Sequence, residues 1–180
     1  SIHDLAFEGA RSLAIEGAFK RAFKDAEKLT TALKTASFGT IDNTSMQKWA
    51  MHAKRASLSM DEMQTLMTQA AAIAAGTGKS THDIAEKLLM SYTKGNDRAL
   101  QSLGIHLDLE RLFMVEQASL VGQSGTLSIV NKRLVLTREL SKAIAKNFGD
   151  TADNAATTEF TMAQQVKAEF ENMKDTLSRM

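Results

Sequence analysis

Residues 77–105 read TGKSTHDIAEKLLMSYTKGNDRALQSLGI, and helix starts and stops recur along them at short intervals. Ser80, followed by Asp83 three residues later, forms a capping signature and opens a helix carrying Ile84, Leu88 and Leu89, which Gly95 ends. Asn96 or Asp97 opens a shorter helix through Leu100 and Leu103, closed by Gly104. Ile105, Leu107 and Leu109 then alternate with polar residues, a brief extended piece before a helix from about Asp108 to Val121.

The same punctuation extends outward. Upstream, Ser59 and Glu62 form a capping box for a helix through Met63, Leu66, Met67, Ala70 and Ile73, which Gly76 is expected to stop. Before it, Phe38 to Asn43 reads as a turn, and Thr44 or Ser45 caps a helix carrying Met46, Trp49 and Ala53 to about Ala56. Nearer the N-terminus, Ile15, Phe19, Ala22, Ala26, Leu29 and Leu33 fall at alternating steps of four and three. That spacing predicts one amphipathic helix over residues 1–37, whose stripe either packs within the chain or forms a coiled-coil seam with another copy.

Downstream, Gly122 and Gly125 flank a turn. Leu127, Val130, Leu134, Leu140, Ile144 and Phe148 then mark a long helix ending at Gly149. After a polar, Ala-rich stretch from Asp150 to Thr158, the positions Phe160, Ala163, Val166, Phe170, Met173 and Leu177 define a last amphipathic helix. No stop signal follows Leu177, so the natural chain is expected to continue, and the Ser1 start predicts a processed or excised chain. The expected organisation is an N-terminal helix over 1–37, a compact multi-helix domain over 44–149 and a C-terminal helix over 150–180.

Composition agrees with this all-α reading: a compact multi-helix region with longer amphipathic helices at both ends, available for coiled-coil oligomerisation. The 180 residues contain no proline, and only 6% are aromatic, so the turn punctuation of sandwiches and barrels is missing. With no cysteine there is no thiol nucleophile, disulfide or thiolate metal site. A net charge of +1 supplies no global field for nucleic acid. No apolar run approaches the roughly 18 residues a membrane span requires.

Candidate chemistry is sparse. Gly78-Lys79-Ser80-Thr81 matches the end of a phosphate-binding loop, but that motif needs a glycine where Ile73 stands and a preceding strand where a helix is expected. It reads as a helix-start turn, and a nucleotide-dependent enzyme using Lys79 is the weakest of the functional readings. His82 and Glu86 share a helix face, yet two donors do not make a metal site, and a first-turn role fits His82 better. The paired carboxylates Asp61-Glu62, Asp108-Glu110 and Glu169-Glu171 read as solvated. Catalytic, cofactor and metal residues are therefore expected to be absent. Met60, Met63 and Met67 line one face, read first as soft core and second as a partner-binding groove.

From Thr77 to Ile105 the chain resembles the tail tape measure proteins of tailed phages and prophages. Those proteins show an Ala-rich helix, a Thr-Gly turn, a helix ending in Gly-Asn and a short Arg-Ala-Leu-x-x-Leu-Gly-Ile helix, with a later Phe-Gly turn before an Ala/Thr segment and a long helix. Phe148-Gly149 and Ala152 to Thr158 resemble the later part, although Asp150 stands where a second glycine is usual. Phe160 and Met162 likewise replace a small residue near the start of the last helix. The resemblance covers about Ser45 to Met180.

It implies a structural virion protein, a segment of a longer protein that sets tail length, fills the tail tube lumen and leaves ahead of the genome. The implied location is the virion tail lumen or tip, and the host cytoplasm during assembly. The implied partners are other copies of itself, tail tube and tail tip proteins, and tail assembly chaperones, with membrane contact at infection and no specific nucleic acid. The helix–helix contacts are expected through Ile15, Phe19, Ala22, Ala26, Leu29 and Leu33 and through Phe160, Phe170, Met173 and Leu177. The alternative is a stand-alone helical bundle, an adaptor or effector that binds a protein partner through the Met-rich face.

Overall fold

The computed structural model describes residues 1–95, 97–119 and 128–180. Among them run α1 (Ile2–Ala22), α2 (Ala26–Ala36), α3 (Asn43–Arg55), α4 (Met60–Thr77), α5 (Thr81–Lys94), α6 (Arg98–Gln101), α7 (Leu109–Ser119), α8 (Ile129–Asp153) and α9 (Glu159–Ser178). A 3₁₀ turn, Ala155–Thr157, joins the last two. No strand occurs among the described residues. The expected turn at Gly122 and Gly125, the positions Val121 and Leu127, and Asn96 as an opener of α6 lie outside them.

Helix α4 is the hub, with α2, α5 and α8 packed around it. Its buried set of Met63, Leu66, Met67, Gln69, Ala70, Ala71, Ile73 and Ala74 is wider than one stripe, as a helix contacted from several sides requires. The alanines let neighbours approach closely. Its start is the expected capping box: the Glu62 N–H donates to Ser59 Oγ, and the Ser59 N–H donates to Glu62 Oε1, both at 3.1 Å. Its stop comes two residues later than expected, because Gly78, not Gly76, takes the left-handed cap. Gly76 stays helical and lies under the Phe148 ring of α8.

Trp49 of α3 is fully buried, and its indole N–H donates to the Ala85 carbonyl of α5 at 2.9 Å. That bond satisfies the one polar group on a large apolar side chain and fixes α3 against α5. Around it, Phe19, Leu29, Leu33, Met46, Leu66, Met67, Leu88, Leu100 and Leu140 belong to one continuous core.

The single helix expected over residues 1–37 is in fact two. Phe23 is extended (φ −119°, ψ 123°), and the second helix starts after Asp25, whose side chain makes no capping bond. Phe23 packs its ring 5.0 Å from that of Phe19, with Lys54 Nζ 5.1 Å above it. On either side of the break, Phe19 of α1 and Leu29 and Leu33 of α2 enter the same core.

The α8 run is interrupted at Gly149 (φ 31°, ψ −115°), where its end was expected. Its inward face keeps the expected Leu140, Ile144 and Phe148 but departs from the expectation nearer the start of the helix. Leu134 is exposed, whereas Val135, Leu136, Leu140 and Ile144 are buried and Arg133 goes in beside them. The Arg133 guanidinium donates to the Ser57 carbonyl at 3.2 Å and to that of Ala56, and lies 3.6 Å from Glu62. A buried cation at the end of α3 thus answers carbonyls left open by the helix terminus.

Candidate functional site

Helix α9 carries the least conventional surface. Its inward side holds Thr161, Gln164 and Ala168, while Val166, Phe170, Met173 and Leu177 are 71%, 63%, 62% and 61% exposed. An amphipathic helix ordinarily lays its apolar stripe on its own core. This one is turned over.

Polar side chains hold it in that orientation. The Thr81 N–H at the start of α5 donates to Gln164 Oε1 at 2.9 Å. Gln165 Nε2 donates to the Phe38 carbonyl at 2.7 Å, and the Asn43 N–H at the start of α3 donates to Asn172 Oδ1 at 2.9 Å. At its C-terminal end Arg179 bonds Ser12 Oγ at 3.1 Å and the Glu16 carboxylate, so α9 also docks on α1. The Arg179 hydrogen bond, and then that of Lys20, hold the Glu16 carboxyl below the usual glutamate range.

Of the residues expected at helix–helix contacts, Phe19, Leu29 and Leu33 are buried inside the chain, and Ile15, Ala22 and Ala26 are half-buried. That stripe works within the molecule. Phe160 is half-buried, whereas Phe170, Met173 and Leu177 present the open face just described. Met63 and Met67 are buried and Met60 half-buried, so a partner reaching the Met-rich face would have to open the core.

The Gly78-Lys79-Ser80-Thr81 turn makes no cradle. Lys79 Nζ donates to the Ser102 carbonyl at 2.9 Å, tying the start of α5 to the end of α6, and the Asp83 N–H donates to Ser80 Oγ as a helix cap. Glu86 pairs with His52 of α3 at 3.5 Å, not with His82. Among the described residues no group of three His, Asp or Glu side chains is placed to hold a metal ion, and no helix is long and apolar enough to cross a membrane. A groove between α9 and the starts of α3 and α5 is lined by Asp42, Asp83, Lys167 and Glu171, a mixture of charges that selects no one ligand.

Comparison of the chain with protein-family models, with curated proteins and with solved structures finds no match in any of the three.

Proposed function

We propose that this chain is a structural segment of a tail tape measure protein, built to occupy space in the tail and touch its neighbours. The observation that carries the reading is the resemblance of Thr77 to Ile105, and the helix boundaries are in keeping with it. The Ala-rich α4, the Thr77-Gly78 turn, α5 ending at Gly95, and α6 followed by Gly104-Ile105 come in the order those proteins display. On this reading the partners are other copies, the tube and tip proteins and the tail assembly chaperones. The chain resides in the tail lumen or tip, leaves before the genome, and meets the membrane only at infection.

The fold bears on how such a segment would measure length. As one straight helix, 180 residues would extend about 270 Å. Folded back on itself, the chain spans far less, so its contribution to a ruler is that of a bead. The test is an in-frame deletion of the coding sequence for α4 to α7 in its natural reading frame, followed by electron microscopy of the virions. Tails that are uniformly altered in length, or tails that fail to assemble, support the proposal. Normal tails of unchanged length overturn it.

A further inference from the structure

The outward face of α9 has the register of a two-stranded coiled coil. With heptad position a at Ala163, Phe170 and Leu177, position d falls on Val166 and Met173. The flanking e positions then hold Lys167 and Lys174, and g holds Glu169. The positions opposite the seam, where a free coiled coil meets water, are Thr161, Gln164 and Ala168, the residues buried against the rest of the chain. The helix is thus inverted as a whole: its solvent side is docked, and its seam is open.

We propose that this seam pairs with the α9 helix of a second copy, in parallel. Charge selects both partner and direction. In a parallel pair, g of one helix meets e of the next heptad on the other, which brings Glu169 to Lys174 of the second copy, twice by symmetry. An antiparallel pair would set e against e and g against g, placing like charges together. Within the chain Glu169 lies 3.4 Å from Lys34 and Lys174 lies 3.5 Å from Glu8. Both bridges are exposed and weak, so they yield readily to the new pairing. The apolar seam is narrow, with charge on its flanks, which suits two strands rather than a larger bundle.

Length alone would argue against stability, since the seam from Ala163 to Leu177 covers little more than two heptads, short of the about three that a self-sufficient coiled coil needs. Here α9 is already folded and held by Gln164, Gln165, Asn172 and Arg179, so the cost of ordering it is met before the second copy arrives. The inference deepens the self-association contained in the tail reading but rests on α9 alone. The two fail separately, because one is read in virion tails and the other in the solution mass of the chain.

The experiment is sedimentation equilibrium of the whole chain, with circular dichroism to confirm that each variant folds. The expected result is a concentration-dependent dimer, with the apparent mass halved in Phe170→Lys and in Val166→Lys. Both positions are exposed, so neither change disturbs the core. Glu169→Lys should weaken the dimer about fivefold, and Glu169→Lys with Lys174→Glu together should restore it to within about twofold. The double variant distinguishes pairing between copies from an effect of the bridges within one chain, because within one chain it would set Lys34 against lysine and Glu8 against glutamate.

Direction is read with a single thiol, since the chain has no cysteine of its own. Met173→Cys meets itself in a parallel pair and should crosslink at least about tenfold faster than Thr65→Cys on the exposed side of α4. A monomer throughout, an assembly of three or more, or a dimer in which Met173→Cys crosslinks no faster than the control would each overturn the proposal.

Discussion

Gly9 of α1 and Ser178 of α9 meet backbone to backbone: a methyl group placed on Gly9 would fall 2.3 Å from the Ser178 carbonyl oxygen and 2.7 Å from its carbon. Only a hydrogen fits there. The contact sits beside the Arg179–Glu16 pair, so the C-terminal end of α9 is seated on α1 by close approach as well as by charge.

Gly9→Ala should therefore loosen that seat. In an open helix the change would be favourable by about 1 kcal/mol, but here the crowded atoms belong to backbone and the net effect should be a loss of about 1–2 kcal/mol. Gly17→Ala is the matched control. Its added carbon would meet only the Arg21 guanidinium at 3.3 Å, a flexible end that can step aside. Chemical denaturation should show Gly17→Ala level with or above the wild type and Gly9→Ala below it.

Ser57 offers a stabilising change. It has φ 61° at the end of α3, a left-handed conformation that side chains resist. Its carbonyl accepts from Arg133 and its N–H donates to the Lys54 carbonyl at 2.8 Å, so the backbone is committed to this geometry. Ser57→Gly should raise stability by about 1 kcal/mol, read as a higher denaturation midpoint with an unchanged slope.

The chain has one tyrosine, and it is an internal reporter. Burial pushes the Tyr92 phenol up to about 12, with Glu62 adding to the rise and the hydrogen bond with Thr137 opposing it. Because the folded value is above the unfolded one, the stability involved is whole below about pH 10 and is lost as pH climbs toward 12. Absorbance at the phenolate band should titrate near 12 in the folded protein and near 10 in denaturant. A folded-state midpoint near 10 would contradict the buried placement.

Acid should act through Glu16. Glu16 titrates below its ordinary range because Arg179 and then Lys20 bond its ionised form. The stability it contributes is present above the unfolded glutamate value of about 4.3 and disappears as pH falls through the lowered folded value. Thermal unfolding of the wild type and Glu16→Gln should differ at neutral pH and converge in acid, with amide exchange at the end of α9 faster in the variant.

Much of the helix pattern is legible in the residues, since it is written in local chemistry. Ser59 with Glu62, Ser80 with Asp83, and the stop at Gly95 act within one helical turn, and each occurs where the spacing predicts. What escapes is decided at long range. Nothing in Phe23-Lys24-Asp25 has the character of a glycine or proline break; the bend there goes with the packing of Phe23 on Phe19 and beneath Lys54 of α3.

The candidate site divides in the same way. A stripe at helical spacing reads alike whether it faces inward or outward, so Phe160, Phe170, Met173 and Leu177 are recognisable as a face but not as an exposed one. The deciding partners are the Thr81 and Asn43 N–H groups and the Phe38 carbonyl, far along the chain from the amides that meet them. Arg133 goes in, and Leu134 out, for a similar reason: the open carbonyls of Ala56 and Ser57 are visible only in three dimensions.

An attachment made by Gln164, Gln165 and Asn172 has a practical consequence for reversibility. Water can replace each of these three amide contacts almost bond for bond, so what resists lifting α9 is the rest of its seat: Ala168, the Gly9–Ser178 approach and the Arg179–Glu16 pair.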